Sequence, residues 1–222
     1  MSEIKFNYAH RDTSTPERAS RTAGLNKLKV SDRVADLRKS ANEREVPVAD
    51  DETLGFLLTL ARAKNACNIL EVGCAEGVTS LALLEECGEA KLTAIERDGD
   101  FYDAAKRNLS EFAERTSLLL GDANEILPTL ESGAYDFIFL DCAKVQYVKL
   151  LPDLKRVLAK GGVLLADDVL LYGWVNGEVE TPKKRRMLVE HIREYLTAVT
   201  EDAQLRTSVL DIGNGLALSV KL

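Results

Sequence analysis

Apolar positions along this chain first follow a helical rhythm and then a strand rhythm. Val30, Val34, Leu37 and Ala41 recur at helical spacing and predict a helix from about Val30 to Glu45, where Glu45-Val46-Pro47 breaks the pattern. Leu54, Leu57, Leu58 and Ala61 predict a second helix from about Asp51 to Ala63. Beyond Cys67, short apolar runs alternate with amphipathic stretches. Strands are predicted over Cys67–Val72, Lys91–Ile95, Ser117–Leu120, Asp136–Leu140 and Gly162–Ala166. Helices are predicted between and after them, over Thr79–Glu86, Phe101–Phe112, Asn124–Leu130, Tyr147–Leu158 and Pro182–Val199. Leu205–Leu210 and Gly215–Val220 flank Gly213-Asn214-Gly215 and read as a hairpin. Five strand-to-helix alternations call for an α/β fold with a mostly parallel, doubly wound sheet. The hairpin adds antiparallel strands, for seven in all.

Composition narrows the function classes. The 222 residues are 45% hydrophobic and 29% charged, enough for a sizeable core without staples. The formal charge of −7 gives no global attraction to nucleic acid. Only His10 and His191 are present, which argues against a multi-histidine metal site or a histidine relay. Cys67, Cys74, Cys87 and Cys142 lack CxxC spacing and read as reduced thiols of a cytoplasmic protein. No apolar block resembles a signal peptide or a membrane span, so no membrane partner is expected. Residues 1–30 hold six basic residues against three acidic ones. They read as a solvated arm, or as a strap over a partner subunit or a phosphate-rich ligand. The expected division is an arm and helix over residues 1–40 and a catalytic domain over residues 41–222.

In a doubly wound sheet, ligands bind beyond the carboxyl ends of the strands. The first strand runs into Glu71-Val72-Gly73-Cys74-Ala75-Glu76-Gly77-Val78-Thr79. Its G-x-x-x-G spacing lacks the third glycine of a dinucleotide cradle, which disfavours a nicotinamide enzyme. Glu71 would repel phosphate but suit a cationic ligand. Thr79 either caps the helix or donates to a ligand carboxylate. Glu96 ends the second strand, where acidic groups bind ribose hydroxyls; it also reads as a plain loop carboxylate. Asp122, followed by Ala123, either accepts from an adenine amino group or caps the next helix. Together these strand ends point to an adenosine ligand without phosphates, and S-adenosylmethionine fits.

The next two strand ends carry Asp141 and Asp167-Asp168. Three carboxylates on one rim repel unless a cation lies between them. An all-oxygen donor set favours Mg²⁺ or another hard divalent cation. The plainer reading is a helix cap at Asp141 and a solvated turn at 167–168. Lys144 is either a general base beside the metal or an exposed lysine at a helix start.

The runs ILEVGCAEGVTSLALL, AIERD, GDA, FIFLDCAKVQY, LLADDVLLYGWV and DIGNGLALSVKL resemble the Mg²⁺-dependent O-methyltransferases of the catechol and caffeoyl-CoA type over about residues 40–222. Within that family the chain looks most like the bacterial tRNA 5-hydroxyuridine methyltransferases. The VPIM-like Val46–Ala49, the D-A-A-K-G-Q-Y-like Asp141–Tyr147 and the basic Pro182–Arg186 carry that likeness. The resemblance implies a Rossmann-like methyltransferase fold and a homodimer. It implies that Ala49, Glu71, Gly73, Thr79, Glu96, Asp122, Ala123 and Asp141 surround S-adenosylmethionine. Asp141, Asp167 and Asp168 would hold the metal, and Lys144 would take the acceptor proton. Lys183, Lys184, Arg185 and Arg186 would meet RNA phosphates.

Three departures stand out. The family's usual Asn is Asp168 here, its aromatic after the second glycine is Val78, and its Met is Ala49. The implied acceptor is 5-hydroxyuridine in the tRNA anticodon, with a catechol or hydroxycinnamoyl-CoA-like phenol as the alternative. A non-catalytic cofactor- or RNA-binding module would need neither the carboxylates nor Lys144.

Overall fold

The computed structural model describes residues 25–222, so most of the basic arm expected over residues 1–30 lies outside the described residues. Helix α1 (Asp32–Glu43) starts at Ser31, whose side chain accepts from Val34 N. Helix α2 (Asp51–Lys64) starts at Asp50 in the same way, accepting from Thr53 N, and stops at the left-handed Asn65. The alternating part follows as β1 (Asn68–Val72), α3 (Val78–Glu86), β2 (Lys91–Glu96), α4 (Gly99–Asn108), β3 (Thr116–Leu120), α5 (Ala123–Ile126), β4 (Tyr135–Leu140), α6 (Tyr147–Val157) and β5 (Leu158–Ala166). Helix α7 (Arg186–Glu201) then leads into β6 (Leu205–Leu210) and β7 (Leu216–Lys221).

Several boundaries differ from the pattern, and three bear on the site or the sheet. The helix expected to reach Phe112 ends at Asn108 and continues as a 3₁₀ segment over Ser110–Arg115. The basic run Lys183–Arg185 is a separate 3₁₀ turn, so the last helix starts at Arg186 and not at Pro182. Strand β5 begins four residues before Gly162, at Leu158. Apolar periodicity carries no signal at exposed helix ends, and a glycine pair hides the strand's entry.

The seven strands lie in the order β3-β2-β1-β4-β5-β7-β6. Strands β1 to β5 pair in parallel, and β7 runs antiparallel to β5 and β6. The expected seven-stranded, mostly parallel sheet with a closing hairpin is therefore the observed one. The strands read as unbroken apolar runs because both sheet faces are covered. Leu70, Ile138 and Leu164 align across β1, β4 and β5 and pack toward α6 and α7. Their neighbours Ile69, Phe137 and Val163 align on the opposite face, in the core shared with α1, α2 and α3. The order of connection reverses between β1 and β4, which opens a crevice at their carboxyl ends. Among the described residues, no helix is long and apolar enough to cross a membrane.

Candidate active site

A cavity of about 400 Å³ lies in that crevice. It gathers Ala49, Glu71, Gly73, Thr79, Glu96, Asp122, Ala123, Asp141, Lys144 and Asp168 on one wall system. Asp167 is buried at 3% exposure beneath the rim and does not line the cavity.

Gly73 fixes the crossing of the two central strands. It has φ +91, and a Cβ there would lie 2.5 Å from the Asp141 carbonyl oxygen. Only glycine allows β1 and β4 to approach that closely. Gly77, at φ +80, is the N-cap of α3 and offers no side-chain cap. Thr79 therefore does not cap that helix; it sits inside the first turn and lines the cavity.

Each acidic strand end has its own environment. Glu71, 1% exposed, accepts a hydrogen bond from Ser80 Oγ in α3. Burial pushes its carboxyl up to about 8 against the pull of the Ser80 bond, and Asp141 and Glu96 add to the rise. Glu96 accepts from three backbone N–H groups, those of Ala75, Arg97 and Asp98, at 2.8–2.9 Å. Its carboxylate thus ties the β2 end to the β1–α3 turn. Asp122 caps α5, accepting from Asn124 N at 2.8 Å and Asn124 Nδ2 at 2.7 Å. Burial would raise its carboxyl, but these bonds outweigh it and hold it below the ordinary value. Capping, one of the two roles open from sequence, is made through Oδ1, and the residue also lines the cavity.

The Glu71 shift gives a stability prediction. A carboxyl raised in the fold contributes stability below its unfolded value, and that contribution is lost as pH rises through about 8. Glu71→Gln, which never ionises, should escape this loss. Its urea midpoint relative to the wild type should rise between pH 5 and pH 9 in the ligand-free protein. A pH-independent difference would contradict the shift.

The carboxylates of Asp141, Asp167 and Asp168 converge, with one oxygen from each within 4.8 Å of the others. The Lys144 ammonium lies among them, 2.6 Å from Asp141 Oδ1 and 3.2 Å from Asp168 Oδ2. Lys144 is thus mostly buried and not an exposed lysine at a helix start. Burial alone would lower its pKa, but Asp141, then Tyr147 and Asp168, hold it well above the ordinary lysine value. Burial, followed by repulsion from Asp168 and Asp141, pushes the Asp167 carboxyl well up. Asp168 adopts the left-handed conformation (φ 58), which turns the chain sharply at the end of β5. The Tyr147 hydroxyl reaches the carbonyls of Leu140 (2.9 Å) and Asp167 (3.2 Å), donating across the ends of β4 and β5. Its ring lies 5.4 Å below Lys144 Nζ.

One residue that supports the wall was not singled out from the sequence. Arg38 is buried on the inner face of α1, and its guanidinium holds the Ala49 carbonyl (2.9 Å) and Asp51 (2.6 Å). A charge four residues after core-facing Val34 was its only sequence signal. Leu171, Tyr172, Trp174, Arg185 and Leu188 close the outer side of the cavity. The Tyr172 and Trp174 rings are 5.1 Å apart and tilted by 57°. Trp174, 5% exposed, forms part of the wall. In the basic run, Arg185 lines the cavity, while Lys183, Lys184 and Arg186 are exposed beyond it.

A doubly wound sheet with an acidic crevice at its switch point and a carboxylate–lysine cluster on the rim defines an α/β protein with its ligand site at the strands' carboxyl ends. The O-methyltransferase family profile matches residues 21–222, and the chain belongs to that family. It is 30% identical to the tapetum-specific methyltransferase 1 of Arabidopsis thaliana over 200 residues, covering 86% of this chain and 84% of the relative. It is also 30% identical to the caffeoyl-CoA O-methyltransferase of Populus kitakamiensis over 195 residues, covering 82% and 80%. A provisionally named caffeoyl-CoA O-methyltransferase from Staphylococcus aureus superposes with a TM-score of 0.79 at 31% identity, over 86% of this chain and 93% of that one. The S-adenosylhomocysteine-bound Podospora anserina methyltransferase PaMTH1 shares the fold with the same TM-score at 21% identity, over 89% and 91%.

Proposed function

We propose that this protein moves the methyl group of S-adenosylmethionine, with the help of a hard divalent cation, onto the hydroxyl of a planar acceptor that carries phosphate. The observation that carries the reading is the Asp141–Asp167–Asp168 cluster with Lys144 on the rim of the cavity. Its donors are all carboxylate oxygens, and among the described residues the cation beside them is a lysine. That chemistry fits Mg²⁺ or a similar ion.

When bound, the donor supplies a methyl group on a sulfonium and the cation lowers the pKa of an adjacent hydroxyl. The chain's residues do the rest. Glu96 lines the cavity with a carboxylate that suits ribose hydroxyls, and Glu71 with a buried carboxyl that a cationic ligand would help to ionise. Gly73 lets that ligand lie close to the backbone of β1. Asp141, Asp167 and Asp168 would hold the metal. Once its carboxylate partners are engaged elsewhere, Lys144 Nζ can give its proton to solvent water and, as a neutral amine, take that of the acceptor hydroxyl. Leu171, Trp174 and Leu188 exclude water from the outer side.

The acceptor we favour is 5-hydroxyuridine in a tRNA anticodon. Arg185 at the cavity wall, continued outward by Lys183, Lys184 and Arg186, supports a ligand whose phosphates trail out of the site. The relationship to the poplar enzyme supports a second reading, a hydroxycinnamoyl-CoA, which also bears phosphates. Labelled S-adenosylmethionine should be offered with hydroxyuridine-containing tRNA, a hydroxycinnamoyl-CoA and free catechol. The expected result is transfer to tRNA in preference to free catechol. Lys184→Glu with Arg185→Glu should weaken the tRNA reaction at least tenfold and flatten its salt dependence. Preference for catechol with an unchanged salt slope would remove the phosphate-bearing acceptor.

A further inference from the structure

Thr53 lies in the first turn of α2, 114 residues from Asp167 in sequence, and is fully buried. Its hydroxyl donates to Asp167 Oδ1 at 3.4 Å, and Asp168 N donates to the same oxygen at 2.7 Å. Both of these donors meet Oδ1 and not Oδ2. Asp50 Oδ1 holds the Thr53 backbone N–H at 2.8 Å, so the first turn of α2 is itself anchored.

The hairpin turn closes over this group from the other side. At Gly213 (φ +54), a Cβ would lie 2.6 Å from Thr53 Oγ1 and would overlap Asp50 Oδ2. The neighbouring carbonyls of Asn214 and Gly215 accept from Leu170 N (2.8 Å) and Val169 N (2.9 Å), which fixes the chain just after Asp168. Three remote segments, 50–53, 167–170 and 213–215, thus meet behind Asp167.

We propose that Thr53 is a positioning residue for the metal site: it pins one oxygen of Asp167 and so presents the other to the cation. This rests on the metal-dependent reading above. A carboxylate free to rotate offers either oxygen and pairs less well with its neighbours, and such outer partners commonly set metal affinity. A threonine serving only to start α2 would affect stability and leave metal affinity alone.

Mn²⁺ binding to the full chain, followed by electron paramagnetic resonance, tests the proposal without any turnover. Thr53→Val should weaken Mn²⁺ about 10–100-fold, the range usual for outer-shell partners. Thr53→Ser, which keeps the hydroxyl, should stay within a few-fold of the wild type. S-adenosylmethionine affinity without metal should not change in either variant. Thr53→Ala supplies the same comparison if valine is not accommodated beside Gly213. Wild-type Mn²⁺ affinity in the hydroxyl-less variant overturns the positioning role. Absence of Mn²⁺ binding to the wild type itself overturns the metal reading, and this inference with it.

Discussion

Replacing Asp141 with alanine is expected to reduce methyl transfer by at least about a thousandfold, because a cation's charge on the acceptor oxygen is worth several kcal/mol of barrier. Asp141 ends β4, where Gly73 brings β1 against its carbonyl. Its carboxylate shares one rim with Asp167 and Asp168 and bonds Lys144. Burial raises that carboxyl, and the Lys144 charge offsets the rise only in part. Removing it should therefore leave the fold intact, and thermal unfolding should show a native transition. Excess EDTA on the wild type should reproduce the loss, with activity restored by Mg²⁺ or Mn²⁺. Full turnover under chelation would sink the metal reading and leave the methyltransferase assignment standing.

Lys144→Met should lower kcat about 10²–10⁴-fold, the usual contribution of a positioned general base, with KM for the methyl donor little changed. The same substitution should strengthen divalent-cation binding. The lysine ammonium and a cation compete for Asp141 and Asp168, and the methionine does not. This opposite movement separates a catalytic lysine from a merely structural one. A structural lysine would take both quantities down together through lost packing over Tyr147. Lys144→Arg should not rescue turnover, because guanidinium does not release its proton. Near-normal kcat in the methionine variant would assign the proton to another acceptor.

Much of this site was legible because of where parallel strands put their ends. Strands covered on both faces must be apolar along their length, so the first acidic residue after each run marks the rim. Glu96, Asp122, Asp141 and Asp167-Asp168 were all found that way, and the cavity gathers all but Asp167. Glu71 was found by its charge inside an apolar strand. The roles were less legible than the positions. Asp122 caps α5, and Thr79 caps nothing. Local spacing cannot say whether a polar atom's partner is its own backbone or a ligand.

The sequence alone determined the order of elements, the seven-stranded sheet and the family, because burial on both sheet faces and glycine at Gly73 and Gly77 leave a linear trace. Only the tertiary structure decided which charges meet. It put Lys144 between Asp141 and Asp168, Arg38 under Ala49, and Thr53 against Asp167. It also turned Arg185 into the cavity and left Lys183, Lys184 and Arg186 outside. Such contacts join segments up to 114 residues apart, and they depend on crossing geometry at the sheet's switch point. No periodicity in the chain encodes that geometry.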